Sequence, residues 1–270
     1  MRTLTYGLLS LVLAWGTSAC EPQPDDDGRG ESVGYRSGTA ADDYTSNGER
    51  GNVSISEINW AGSVANDSGA HDKNDIFIEL QNKHPRPIFL KGWLLTIEAG
   101  HHTDGLRHPH SRRDRSSISY VLPARENGKP VETNEFVIIS RKRNGAFADA
   151  DFFIEDLAIP EGPFEMTLQD LDERLIDHIG DDRKQPFAGA WDGVTARSME
   201  RIQLIFNNRG NRDSAWHSYS LNDFDVGRRA EYHQLLRSRV GENYVNKTFA
   251  TPGMPNSPDY SGNTSSGSFE

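Results

Sequence analysis

Residues Asn52 to Val64 read N-V-S-I-S-E-I-N-W-A-G-S-V, and their pattern decides the fold. Val53 and Ile55 alternate with Ser54 and Ser56, and Ile58 rejoins the apolar side, as in a half-buried strand. This alternation places Ser54 and Ser56 on an outward face. Trp60-Ala61-Gly62-Ser63 then ends the strand in a turn.

The same rhythm recurs along the chain. Asp75-Ile76-Phe77-Ile78-Glu79-Leu80 puts Ile76, Ile78 and Leu80 on one side. Further strands are predicted at 88–90, 92–97, 117–122, 135–140, 164–168, 174–179 and 198–202. Asn82 to Pro87 (N-K-H-P-R-P) is a turn, because its prolines exclude a central strand. Asp170-Leu171-Asp172-Glu173 reads as a hairpin connection. Short strands separated by Gly, Pro, Asn and Asp predict an all-β sandwich rather than alternating βα units. Trp93 after Gly92 is placed to fill the core between two sheets, and Gly253 suits a tight turn after the last strand. Two stretches interrupt the rhythm as insertions: a polar, basic loop near 99–116 and a short helical segment near 225–244.

The first residues belong to a different class. Arg2 and the apolar run Leu4 to Trp15 make a secretory signal, residues 1–19, too short for a span of about 20 residues. Thr17-Ser18-Ala19-Cys20 places the sole cysteine of 270 residues at the cleavage point, where it resembles the lipobox of bacterial lipoproteins. That resemblance implies a lipidated Cys20 as the mature N-terminus and a membrane anchor. Residues 20–51 then form a flexible acidic tether, since Asp, Gly, Ser and Pro cannot bury enough surface to offset their ordering entropy. Eight acids against three arginines between Glu21 and Gly51 supply nearly half of the formal net charge of −11. That balance argues against nucleic acid as a partner. The sandwich domain is expected over 52–256, and the Ser/Gly-rich tail 257–270 is expected to be disordered.

Several segments in order resemble the lamin tail domain in its bacterial exported form. They are Ile55-Ser56-Glu57-Ile58-Asn59-Trp60-Ala61-Gly62-Ser63, Asp75 to Asn82, Ile88 to Trp93, Ser198-Met199-Glu200-Arg201 and Thr251-Pro252-Gly253-Met254-Pro255-Asn256. The resemblance implies an immunoglobulin-like β-sandwich without a catalytic role for its glutamates. Ile76 stands where the family often has a second acid, which weighs against a cation site there.

Candidate chemistry is sparse. Glu57 and Glu79 could serve as acid and base only in a cleft with separated pKa values. They read instead as exposed strand residues or as acceptors for loop hydrogen bonds. His101, His102, His108 and His110 with Asp104 could ligate Zn, Cu or Ni. Arg107, Arg112, Arg113 and Arg115 crowd the same loop with positive charge, which opposes a cation and favours a protein or anionic envelope polymer such as lipopolysaccharide. No G-x-S-x-G elbow, H-E-x-x-H pair or phosphate-binding glycine loop is present. The sequence therefore predicts a non-catalytic binding or structural module without a cofactor. It is expected to be lipid-anchored in the bacterial cell envelope, at the outer membrane. The alternatives are a metal-binding protein or metal-dependent hydrolase using the histidine loop, and an accessory subunit of a membrane-associated hydrolase.

Overall fold

Period-two patterning becomes strand throughout the computed structural model, which describes residues 35–36, 46–47, 50–100, 116–202, 209–220 and 239–258. Two short strands, β1 (Tyr35–Arg36) and β2 (Ser46–Asn47), pair ahead of the sandwich. Next come β3 (Val53–Asn59), the ribbon of β4 (Ser63–Val64) and β5 (His71–Asp72), then β6 (Phe77–Asn82), β7 (Leu94–Ala99) and β8 (Ser116–Val121). The chain continues through β9 (Phe136–Ser140), β10 (Phe152–Phe153), β11 (Phe164–Gln169), β12 (Leu175–Asp181), β13 (Ala190–Trp191) and β14 (Ala196–Arg197). It closes with β15 (Met199–Arg201), β16 (Trp216–Ser218) and β17 (Thr248–Phe249).

Two sheets carry the domain. One has six strands in the order β10-β9-β6-β3-β15-β16, and the other has four in the order β12-β11-β7-β8. All these pairings are antiparallel except β9 with β10. The sequence-based expectation of an all-β sandwich is met. The Asp170–Glu173 connection is a hairpin loop: Asp170 Oδ1 accepts from the backbone N–H groups of Asp172 and Arg174, each at 2.9 Å.

The core forms from the inward residues of both sheets. Val53, Ile55, Ile58, Ile78, Leu80, Val137 and Met199 from the first meet Leu95, Ile97, Phe164, Met166, Leu168, Ile176 and Ile179 from the second. Trp93 is fully buried among them, as its sequence position predicts. Gly92 turns the chain into that position at φ +82°, a region open to glycine. The strand expected at 88–90 contracts to one bridge, Ile88 with Val131. Pro85 and Pro87 before it and the Gly92 turn after it leave no length for a ladder.

The pattern break in β3 has a structural cause. Ile55 pairs with Leu80 and Glu57 with Glu79, so Ser56 is one extra residue in a β-bulge. The bulge resets the alternation, which is why Ile58 returns to the core three residues after Ile55 rather than two. The bulge region is tied to the opposite sheet, where Asp177 Oδ2 on β12 accepts from the Ile55 backbone N–H at 2.8 Å. Arg201 on β15 pairs with the same carboxylate.

The outward face of the six-stranded sheet does not meet solvent. Ser54 and Ser56, expected to point outward into water, are 3% and 1% exposed. A second apolar cluster of Phe77, Ile138, Ala146, Phe147, Tyr219, Val240 and Ala250 lies over part of this face. The segment 251–258 crosses this face at Ser56, Glu57, Glu79 and Glu200 and is called the strap below.

Candidate functional site

The bulge at Ser56 has a second effect: it brings Glu57 level with Glu79 on one side and Glu200 on the other. Glu200 in turn faces His217 on β16, and Glu79 faces Ile138 on β9. Four ionisable side chains thus form one row across β6, β3, β15 and β16. All three glutamates are completely buried. Like charges set directly opposite destabilise a sheet, and burying a carboxylate without partners is costly.

The strap supplies the partners. Thr251 donates its backbone N–H to Glu57 Oε1 at 2.9 Å, and Gly253 donates its own to Glu79 Oε2 at 2.5 Å. The Ser257 backbone N–H reaches Glu200 Oε2 at 3.0 Å, and its hydroxyl donates to the same oxygen. Within β3, the Ser56 hydroxyl donates to Glu79 Oε1 at 2.6 Å. Asn256 completes the attachment by donating to the Ser56 and Arg201 carbonyls at 2.9 and 2.7 Å. As expected, Gly253 sits in a turn, at φ +76°, with the Met254 N–H on the Thr251 carbonyl at 3.0 Å.

Burial raises the proton affinity of all three acids. Desolvation pushes Glu57 up to about 7 against opposing hydrogen bonds from Ser198 and from Thr251 of the strap. Glu200 is pushed up to about 8, by desolvation first and the neighbouring Glu57 charge second. Glu79 is held well above the usual carboxylate range, again by desolvation and then by Glu57.

The hydrogen-bond geometry suits a shared proton. The Thr251 hydroxyl lies 3.2 Å from Glu57 Oε2 and 2.8 Å from Glu200 Oε1. A hydroxyl has one proton and two lone pairs, so it satisfies both oxygens only when one carboxyl is itself protonated and donates back. The row is therefore a proton-holding array sealed under the strap. His217 Nε2 stands 3.7 Å from Glu200 Oε2 at its far end.

Other acids follow the same architectural use. Asp75, 1% exposed, accepts from the Ala146 N–H at 2.7 Å and from the Ser63 hydroxyl at 2.5 Å, pinning two loops. Burial raises its pKa as well. Among the described residues no group of three or more His, Cys, Asp or Glu side chains is arranged to hold a metal ion. A cleft of about 300 Å³ lies beside β9, lined by Arg141, Lys73, Asn74, Glu161 and the buried Ile76 and Ile159. Arg141 donates there to Asn74 Oδ1 at 2.9 Å.

Glu57 and Glu79, read from sequence as exposed or as acceptors for loops, are not exposed; the second reading is the observed one. Strand patterning by itself does not mark Glu200 as their companion. The available sequence signals were the Ile55-x-x-Ile58 skip, which moves Glu57 to the outer face, and the Thr-Pro-Gly and Ser-Pro pairs that end the domain. Cys20, His101, His102, Asp104, Arg107, His108, His110, Arg112, Arg113 and Arg115 all lie outside the described residues, as does most of the expected helical insertion. Compared with known protein families and with curated proteins, the chain matches none.

Proposed function

We propose that the chain is a lipid-anchored, exported lamin-tail-like module that works by binding or by structural support rather than by catalysis. The observation that carries this reading is the closure of the glutamate row. The strand carboxylates best placed for acid–base chemistry are fully buried and take hydrogen bonds from the backbone of residues 251–257. A general acid or base must reach a substrate, and these carboxyls are turned to the strap and to neighbouring strand residues such as Ser56 instead.

The segments that resemble the lamin tail domain fall on β3, β6, β15 and the strap, which frame the row, and on the entrance to β7 in the other sheet. That coincidence supports the family reading. The Cys20 lipobox supplies the membrane attachment in this proposal, and the acidic tether stands the sandwich away from the bilayer. Arg107, Arg112, Arg113 and Arg115 offer the contact to an anionic envelope polymer.

Mass spectrometry of the mature N-terminus is the first test. An acylated Cys20 is expected; an unmodified Cys20 or cleavage elsewhere defeats the anchor. The binding half is tested with purified lipopolysaccharide. Replacing the four arginines by glutamine is expected to abolish a salt-sensitive interaction, and unchanged binding defeats that assignment.

A further inference from the structure

Sheet edges are the natural place for a second chain to add, and among the described residues this sandwich closes all but one of its long ones. The outer side of β12 is capped by the Gly51 N–H on the Ile176 carbonyl at 3.0 Å and by the Gly180 N–H on the Gly210 carbonyl at 3.1 Å. The six-stranded sheet ends in β10 and β16, which have two and three residues. Strand β8 is different. It has six residues, it pairs among the described residues with β7 alone, and Ser116 to Ser119 and Val121 are exposed.

Its free backbone groups can be assigned. Leu122 gives its N–H to the Trp93 carbonyl and takes one from Gly92, both at 2.8 Å, so Leu122 faces β7. Orientation alternates along an antiparallel ladder, and the register from Leu94–Val121 to Ala99–Ser116 is unbroken. Tyr120, Ile118 and Ser116 therefore also bond to β7. Ser117, Ser119 and Val121 direct their N–H and C=O groups outward, at the period an incoming strand requires.

None of the usual protections is present in S-S-I-S-Y-V. It has no charge, no proline and no bulge. Ile118 and Val121 are 44% and 65% exposed, one on each face of the edge. In a chain of net charge −11, an uncharged edge is where another copy can approach without like-charge opposition.

We propose that β8 is a self-association edge, at which two copies pair antiparallel about a two-fold axis through Ser119. In this register Ser119 faces its counterpart and Ser117 faces Val121 of the second copy, which satisfies all the outward groups reciprocally. Ile118 then sits opposite Tyr120 of the second copy, which covers the exposed isoleucine. The two four-stranded sheets become one continuous sheet. Pro123 and the residues after it end the pairing on each side.

The test uses the full chain with Cys20→Ser, so that no native thiol remains. Opposed residues of a hydrogen-bonded pair stand about 5.5 Å apart at Cα, within disulfide reach. Ser119→Cys is expected to form a disulfide-linked homodimer under mild oxidation, whereas Ser117→Cys alone is not. Light scattering should give twice the monomer mass for the parent. Ser119→Pro removes an outward N–H that β7 does not use, and should give a monomer with an unchanged circular dichroism spectrum. Val121→Lys is the second disrupting variant should the proline unfold the strand. A monomeric parent, a dimer unaffected by Val121→Lys, or a Ser119→Cys crosslink only to a different protein each overturns the proposal.

Discussion

Glu200→Gln tests the sealed carboxyl row directly, because glutamine copies the protonated form of the residue it replaces. Its oxygen can take the Ser257 donors, and its amide can donate to the Thr251 hydroxyl. The hydroxyl proton is then free for Glu57 Oε2. The pH dependence follows from the raised pKa. In the unfolded chain Glu200 loses its proton near the ordinary 4.5, and in the fold only near 8. Between those values the native state holds the extra proton, so stability falls as pH rises through this window and levels off outside it. At about 1.4 kcal/mol per pH unit, the ceiling for Glu200 is about 5 kcal/mol. Glu57, pushed up to about 7, loses stability over a lower and narrower range. The two share one proton network, so their losses do not add. His217 from β16 and the Arg239 side chain against Gly253 are the cationic or titratable neighbours of the row and its strap. The assay is urea denaturation from pH 5 to 9. The parent should be more stable at pH 5 than at pH 8. Glu200→Gln should flatten that slope and stabilise the domain at pH 9 by several kcal/mol, within the ceiling above. A parent midpoint that rises between pH 5 and 8, or a variant that loses stability at pH 9, would refute the proton-sharing argument.

Removing the Arg201 guanidinium by Arg201→Ala leaves Asp177 buried beside β3 and should cost about 3–5 kcal/mol in chemical denaturation. The double variant Asp177→Asn/Arg201→Met should recover part of that loss, because no isolated charge remains; equal loss in both would count against the pair. Trp93→Ala should cost about 3–5 kcal/mol through a core cavity. Trp93→Phe should cost distinctly less, because the indole N–H has no hydrogen-bond partner among the described residues and its removal offsets lost contact area.

Much of the fold is legible in sequence because strand periodicity is a local property. Val53, Ile55, Ile78 and Leu80 reveal their inward faces without knowledge of any partner strand. Trp93 is legible for the same reason, since a large aromatic after a turn glycine has few places to go in a sandwich. Burial of the opposite face is a non-local fact. Ser54, Ser56, Glu57 and Glu79 have the polarity of solvent-facing residues, and distant segments such as the strap, 194 residues beyond Glu57, take that face out of water. Glu200 joins the row through cross-strand register, which depends on a one-residue bulge. The skipped beat between Ile55 and Ile58 was visible, but its meaning required β6 beside it. The short bridge at Ile88 shows the converse case, where apolar, β-prone residues yield to the prolines and glycine around them.

The strap also sets the order in which this domain can be completed. Its donors emerge from synthesis or translocation after every acceptor they serve. Until Thr251, Gly253 and Ser257 arrive, Glu57, Glu79 and Glu200 must remain hydrated and the outer face of the six-stranded sheet open. Closing a loop this long is slow relative to hairpin formation. Final closure of this face thus waits for residues 251–257, and a chain cut short before residue 251 would keep a ledge of three hydrated glutamates for proteases and chaperones to find.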